Sequence, residues 1–155
     1  MPDWLSHVII GLIICEIFNL KPKSLVIFVA LLPDFVTKIS YLRLFFDIQN
    51  LNQYLFIAHT MIGALLITMI ILPFFRYPEL KVFKLVIIGW ISHIFADYLF
   101  NFAFEPQYLP FFPFFWQKIN IGIIWADYYY VITITSIMIY LIIKLARQKL
   151  QLFDS

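Results

Sequence analysis

Charge is what this chain has least of. Asp, Glu, Lys and Arg make up 13% of its 155 residues, roughly half the share in a soluble domain. Apolar residues take their place, at 63% of the chain, against roughly 45–50% in soluble proteins. A domain of this size in water could not hide so much apolar surface, so the solvent it meets is lipid. The net charge is only +2 and no basic stripe is present, which excludes a nucleic-acid binder. The single cysteine, Cys15, excludes an intrachain disulfide and says little about compartment. Internal repeats, low-complexity tracts and flexible linkers are also missing. The length suits one domain, here a single integral-membrane unit over residues 1–155. The first apolar segment lacks a positive leading region and a small-residue cleavage site before Lys21. It is expected to stay as an anchor rather than to leave as a signal peptide.

What is present is a series of apolar runs. Five candidate spans lie at about Trp4–Leu20, Ser24–Ile39, Gln53–Phe75, Leu80–Phe104 and Ile119–Ile143. A crossing helix needs roughly 17–25 residues, so the first two sit near the lower limit and are expected to tilt or to thin the bilayer. The expected fold is all-α: a polytopic membrane helical bundle of about five transmembrane helices. Tyr41–Asn52 mixes Leu42, Phe45 and Phe46 with Arg43, Asp47 and Gln49, which predicts an interfacial helix. The stretch QYLPFFPFFWQK, Gln107–Lys118, is an aromatic loop in the interface. Pro110 and Pro113 oppose a helix there, and Phe and Trp suit the headgroup level. With five spans, Lys21, Lys23, Arg76, Lys81, Lys84, Lys144, Arg147 and Lys149 share one side, against Lys38, Arg43 and Lys118 on the other. The positive-inside rule then puts the N-terminus outside an inner or plasma membrane and the C-terminus in the cytoplasm.

Against this background the few ionisable groups inside the spans stand out. GWISHIFADYL, Gly89–Leu99, carries His93 and Asp97 four residues apart, hence on one helical face. The chain has three histidines, His7, His59 and His93, all in or at the edge of apolar runs, and Asp34, Asp97 and Asp127 also fall inside them. At 1.5 Å per residue, every one lies roughly 5–16 Å below the same outward surface. The inner half has almost no such groups; Glu16 sits near the cytoplasmic end beside Lys21. Buried charges need partners, and a divalent cation is one. His with carboxylate suits zinc, and also manganese or iron. His7, Asp34, His59, His93 and Asp97 are the candidate ligands. Asp127 is a candidate support for a ligating histidine, with helix-interface packing as the alternative. Asp3, four residues before His7, either orients it, binds metal or accepts a proton, or is a solvated N-cap. Lys118 beside Trp116 either holds a substrate phosphate or is a snorkelling interfacial lysine.

Four short motifs, PDWLSH at the N-terminus, LLPD at Leu31–Asp34, AHT at Ala58–Thr60 and SHIFADYL at Ser92–Leu99, resemble the YdjM-like family of predicted membrane-bound metal-dependent hydrolases. The resemblance runs from Asp3 to about Lys118. That family is distantly similar to zinc-dependent phospholipase C, and the likeness implies ligands in the order His, Asp, His, His-x-x-x-Asp, places filled here by His7, Asp34, His59, His93 and Asp97. Two departures are visible. Val36 stands where many members have a second acidic residue, and Tyr54-Leu55 stands where many have His-Arg.

The expected function is metal-dependent hydrolysis of a lipid-linked phosphoester, phospholipase C-like or phosphatase-like, at a site opening to the extracytoplasmic leaflet. One or two ions, most simply zinc, would be held by the five ligands. Asp34 or Asp3 would handle the proton of the attacking water, with Lys118 and Trp116 toward the substrate. Three other classes compete. A proton or metal-ion transporter would use the same His/Asp cluster, but should carry polar groups to the cytoplasmic side and usually inverted repeats. A haem protein would need only His59 and His93, and a purely structural membrane protein would need no ion.

Overall fold

The computed structural model describes residues 4–39, 56–101, 111–112, 114–115 and 122–153. Asp3, the expected interfacial helix Tyr41–Asn52, Tyr54, Leu55, Trp116 and Lys118 lie outside the described residues, as does most of the aromatic loop.

The described fold is all-helical apart from one two-residue strand pair. Helix α1, Trp4–Ile17, meets no charge until Glu16. It stops where Asn19 takes a left-handed φ of 50°, a conformation asparagine tolerates better than most residues. The Leu20 amide then bonds back to the Cys15 carbonyl at 2.9 Å, closing the helix end in a Schellman-like cap. Helix α2 covers Lys23–Lys38 directly after Pro22 and contains Pro33. A 3-10 turn, Phe56–His59, leads into α3, Met61–Ile71, which tightens into a second 3-10 turn at Leu72–Phe74. Helix α4 is Glu79–Tyr98. Strands β1, Phe100–Asn101, and β2, Ile124–Trp125, pair in parallel with Phe100 opposite Ile124. A 3-10 turn, Ala126–Tyr128, opens α5, Tyr129–Phe153.

The helices pack around α2 and α4, which share the most extensive contact, with α1 against α2 and α5, and α3 against α4. Gly89 explains the closeness of α2 and α4. A Cβ there would lie 2.7 Å from the Val26 carbonyl oxygen and 2.9 Å from Val29 Cβ, so only glycine lets the two backbones meet. The core between them is apolar, built from Leu25, Val26, Val29, Val82, Leu85, Val86 and Trp90. At the far end of α1, Glu16 pairs with Lys23 and, at 3.1 Å, with Arg147 of α5. The outer surface is apolar too: Met69 is 73% exposed and Phe74 80%, with Leu80, Ile91, Phe95, Ile142 and Leu145 also outward. Such a surface is built for lipid rather than water.

One expectation is met in part and another changes. Only Tyr129–Leu150, 22 residues, is both long and apolar enough to cross a bilayer among the described residues. Helix α1 has 14 residues and α2 has 16, about 21–24 Å of rise against a ~30 Å hydrocarbon core. The expected last span, Ile119–Ile143, is displaced toward the C-terminus. Gly122 takes a positive φ of 52°, and Ile124–Trp125 pair with β1. Helix α5 begins at Tyr129 and continues through Lys144, Arg147 and Lys149.

Candidate metal centre

The alternating directions of the helices bring four element ends together. His7 lies in the first turn of α1 and Asp34 in the last turns of α2. His59 closes the turn before α3, and His93 and Asp97 lie in the last turns of α4. None of the five is more than 2% exposed.

Each is set by a local device. Gly89, His93 and Asp97 follow one another at four-residue steps on one face of α4. The backbone approach at Gly89 therefore delivers His93 onto α2, where its Nδ1 lies 2.8 Å from the Ala30 carbonyl oxygen. A carbonyl only accepts, so Nδ1 donates, and His93 Nε2 is left to face the cluster. His59 is placed by a similarly tight fold. Thr60 caps α3 by accepting from the Gly63 amide at 3.1 Å and donates to the Ile57 carbonyl at 2.6 Å. A Cβ at Gly63 would sit 2.0 Å from that same carbonyl oxygen.

The carboxylates lie among the imidazoles. His7 Nε2 is 3.5 Å from both Asp34 Oδ2 and Asp97 Oδ1. His59 Nε2 is 3.8 Å from both Asp34 Oδ1 and Asp97 Oδ2. His93 Nε2 is 3.2 Å from Asp97 Oδ2. Most of these distances are too long for hydrogen bonds. They bracket the ligand–ligand edge of about 3.3 Å expected around a tetrahedral ion bonded at 2.0–2.1 Å. Both oxygens of Asp34 and Asp97, both nitrogens of His7, and His93 Nε2 are buried without a hydrogen-bond partner among the described residues. Two buried carboxylates, when both ionised, carry a charge of −2 that costs several kcal/mol per ion unless matched. Protonating two histidines is an expensive remedy. The His7 and His93 rings stack with centroids 4.3 Å apart, and two imidazolium charges at that distance repel by about 4 kcal/mol at an effective dielectric of 20. A divalent cation cancels the charge without that repulsion, and the donor set of three nitrogens and two carboxylates is one that zinc, manganese or iron accepts. Two overlapping trios, His7–Asp34–His93 and His59–His93–Asp97, each bring their ligand atoms within 4.8 Å of one another.

The sequence pattern of the YdjM inner membrane protein family matches residues 1–153. The chain belongs to this family. Membership places the protein in a membrane and covers every motif that carries the five clustered residues. No curated protein and no solved structure matches the chain.

The remaining candidates fare differently. Asp127 does not join the five. It is exposed in the turn before α5, and no contact ties it to the cluster among the described residues. The expected support of a ligating histidine falls instead to the backbone carbonyl of Ala30, which no side-chain pattern announces. A second feature passed over in the sequence is Lys38, whose Nζ lies 3.8 Å from the Trp4 ring centroid. Its signal is the four-residue step from Asp34, which places it one turn beyond the cluster.

Proposed function

We propose that this YdjM-family protein is a membrane-embedded, metal-dependent hydrolase of lipid-linked phosphoesters. The observation that carries this reading is the convergence of five buried donors at ligand-edge distances, with the oxygens of Asp34 and Asp97, the nitrogens of His7 and Nε2 of His93 lacking a hydrogen-bond partner among the described residues. His7, Asp34, His59, His93 and Asp97 would hold the ion. Since His93 Nδ1 is committed to Ala30, this histidine has one lone pair to give, and the two trios that share it describe one centre. A divalent ion bound there supplies acidified water and a counter-charge for a phosphoryl group. The chain's own residues do the rest. Asp97 faces all three imidazoles and fixes their spacing. Asp34, whose two oxygens face different histidines, is the carboxylate placed to take a proton from attacking water. Lys38, one turn farther out, offers a positive charge at headgroup level.

The short helices suit a bundle seated in a locally thinned bilayer, with the centre toward the extracytoplasmic leaflet and the lysine-rich end in the cytoplasm. A transporter has less support. The layer beyond the cluster is filled by Cys15, Leu25, Val26, Val82 and Val86, which offer an ion no polar route among the described residues. Elemental mass spectrometry of the purified protein, paired with a panel of phospholipid and lipid-carrier phosphoesters, tests the proposal. Wild type is expected to hold a divalent metal and to release a phosphorylated headgroup or phosphate. The His59→Ala/His93→Ala pair is expected to lose both while keeping its helical content. Unchanged metal content in that variant refutes the centre; metal without hydrolysis across the panel refutes the enzyme.

A further inference from the structure

We propose that the groove between the end of α1 and the first half of α4 binds an anionic phospholipid, headgroup outward and acyl chain inward. The groove encloses about 580 Å³ and lies at the end of the bundle opposite the His/Asp cluster. Lys21, Lys81 and Lys84 line it above Leu80, Leu85 and Ile88, and no carboxylate is among its lining residues. The nearby acids do not cancel these charges. Glu16 is engaged by Lys23 and Arg147, and Glu79, exposed at the start of α4, lies outside the lining. Lys81 is held in place by its contact with the Tyr77 ring, 4.8 Å from Nζ to centroid.

Three ammonium groups gathered around one concavity repel one another unless an anion joins them. Basic pockets between membrane helices take up phosphate headgroups in this way. The floor decides which anion. Leu85 is buried and Ile88 half-buried, while Leu80 stands exposed at the rim, an apolar wall that free phosphate cannot use and an acyl chain can. A membrane lysine on a featureless surface would only snorkel; these three line one groove. The groove is separate from the metal centre. Lys84 and His93 are nine positions apart on α4, about 14 Å along its axis, and the apolar core lies between.

Native mass spectrometry of the full-length protein tests this, after incubation in mild detergent with equal phosphatidylglycerol and phosphatidylcholine. Wild type is expected to retain one phosphatidylglycerol with at least a tenfold preference. Lys21→Gln/Lys81→Gln/Lys84→Gln should lose that preference, the matching triple Arg variant should keep it, and Lys144→Gln/Lys149→Gln should keep it too. Inorganic phosphate at millimolar concentration should not displace the lipid. Bound metal should stay at the wild-type level throughout, which separates this site from the centre proposed above. The proposal is overturned by equal retention of both lipids on wild type, a measurement that needs no variant to fold. It is also overturned if the Gln triple keeps the preference, if the Lys144/Lys149 control loses it equally, or if phosphate competes the lipid away.

Discussion

Replacing Gly89 by alanine tests the chain of cause from backbone packing to metal ligation. The added Cβ would lie 2.7 Å from the Val26 carbonyl oxygen and 2.9 Å from Val29 Cβ, where ordinary contact begins at 3.4 Å. Neither neighbour is the loose end of a flexible side chain, so α4 must back away from α2 by about 0.7 Å. The His93 Nδ1 to Ala30 bond, 2.8 Å in the native packing, then stretches to about 3.5 Å, beyond the working range of an N–H···O bond. Overpacking costs about 1–3 kcal/mol and the lost bond about 1 kcal/mol. The better helix propensity of alanine returns about 1 kcal/mol, leaving a net loss of about 1–3 kcal/mol. Loss of a group that orients a ligating histidine lowers metal affinity by about 10–100-fold. A competition titration against a zinc chelator in detergent measures that directly, with Gly11→Ala as the control. At Gly11 the nearest side-chain atoms to a new Cβ are 3.8 and 3.9 Å away, so affinity should hold and stability should rise by about 1 kcal/mol from helix propensity alone. If Gly89→Ala binds zinc within twofold of wild type and unfolds at the same temperature, the coupling of this contact to the centre is wrong.

Other expectations follow from single contacts. Asp97→Asn keeps the side-chain volume but removes the charge facing His7, His59 and His93; metal content should fall at least tenfold while circular dichroism stays unchanged. Asp127→Asn, at an exposed position, should leave metal content as it is. Thr60→Ala deletes the cap on the Gly63 amide and should cost about 1 kcal/mol in denaturant titration. The Ser6–Thr133 hydrogen bond, 2.7 Å between buried hydroxyls of α1 and α5, should give a coupling of about 0.6 kcal/mol in a double-mutant cycle to alanine, and zero coupling would show that the two hydroxyls act independently.

The cluster could be read from the sequence because ionisable residues are scarce in these runs. A fixed helical rise converts each position into a depth, so His7, Asp34, His59, His93 and Asp97 reveal a common layer before any contact is known. Helix type was readable for the same reason: apolar residues persist through α1, α2 and α4. What stayed hidden depends on approach distances between elements. Nothing in the residue pattern says that Gly89 brings α4 onto the Val26 carbonyl, or that the backbone of Ala30 is the hydrogen-bond partner of His93. Hydropathy also misjudges Gly122–Trp125. Those residues are apolar enough for a helix, but Gly122 turns the chain and Ile124–Trp125 pair with the strand after α4, which shifts α5 and leaves Asp127 outside the bundle core.

Helix α5 donates nothing to the cluster. It meets α1 through Ser6–Thr133 and Arg147–Glu16, and most of its length faces outward. All five donors have therefore been synthesised by the time the ribosome passes residue 97. The last helix therefore acts on the cluster only at second hand, by steadying α1 through the Ser6–Thr133 bond one residue from His7.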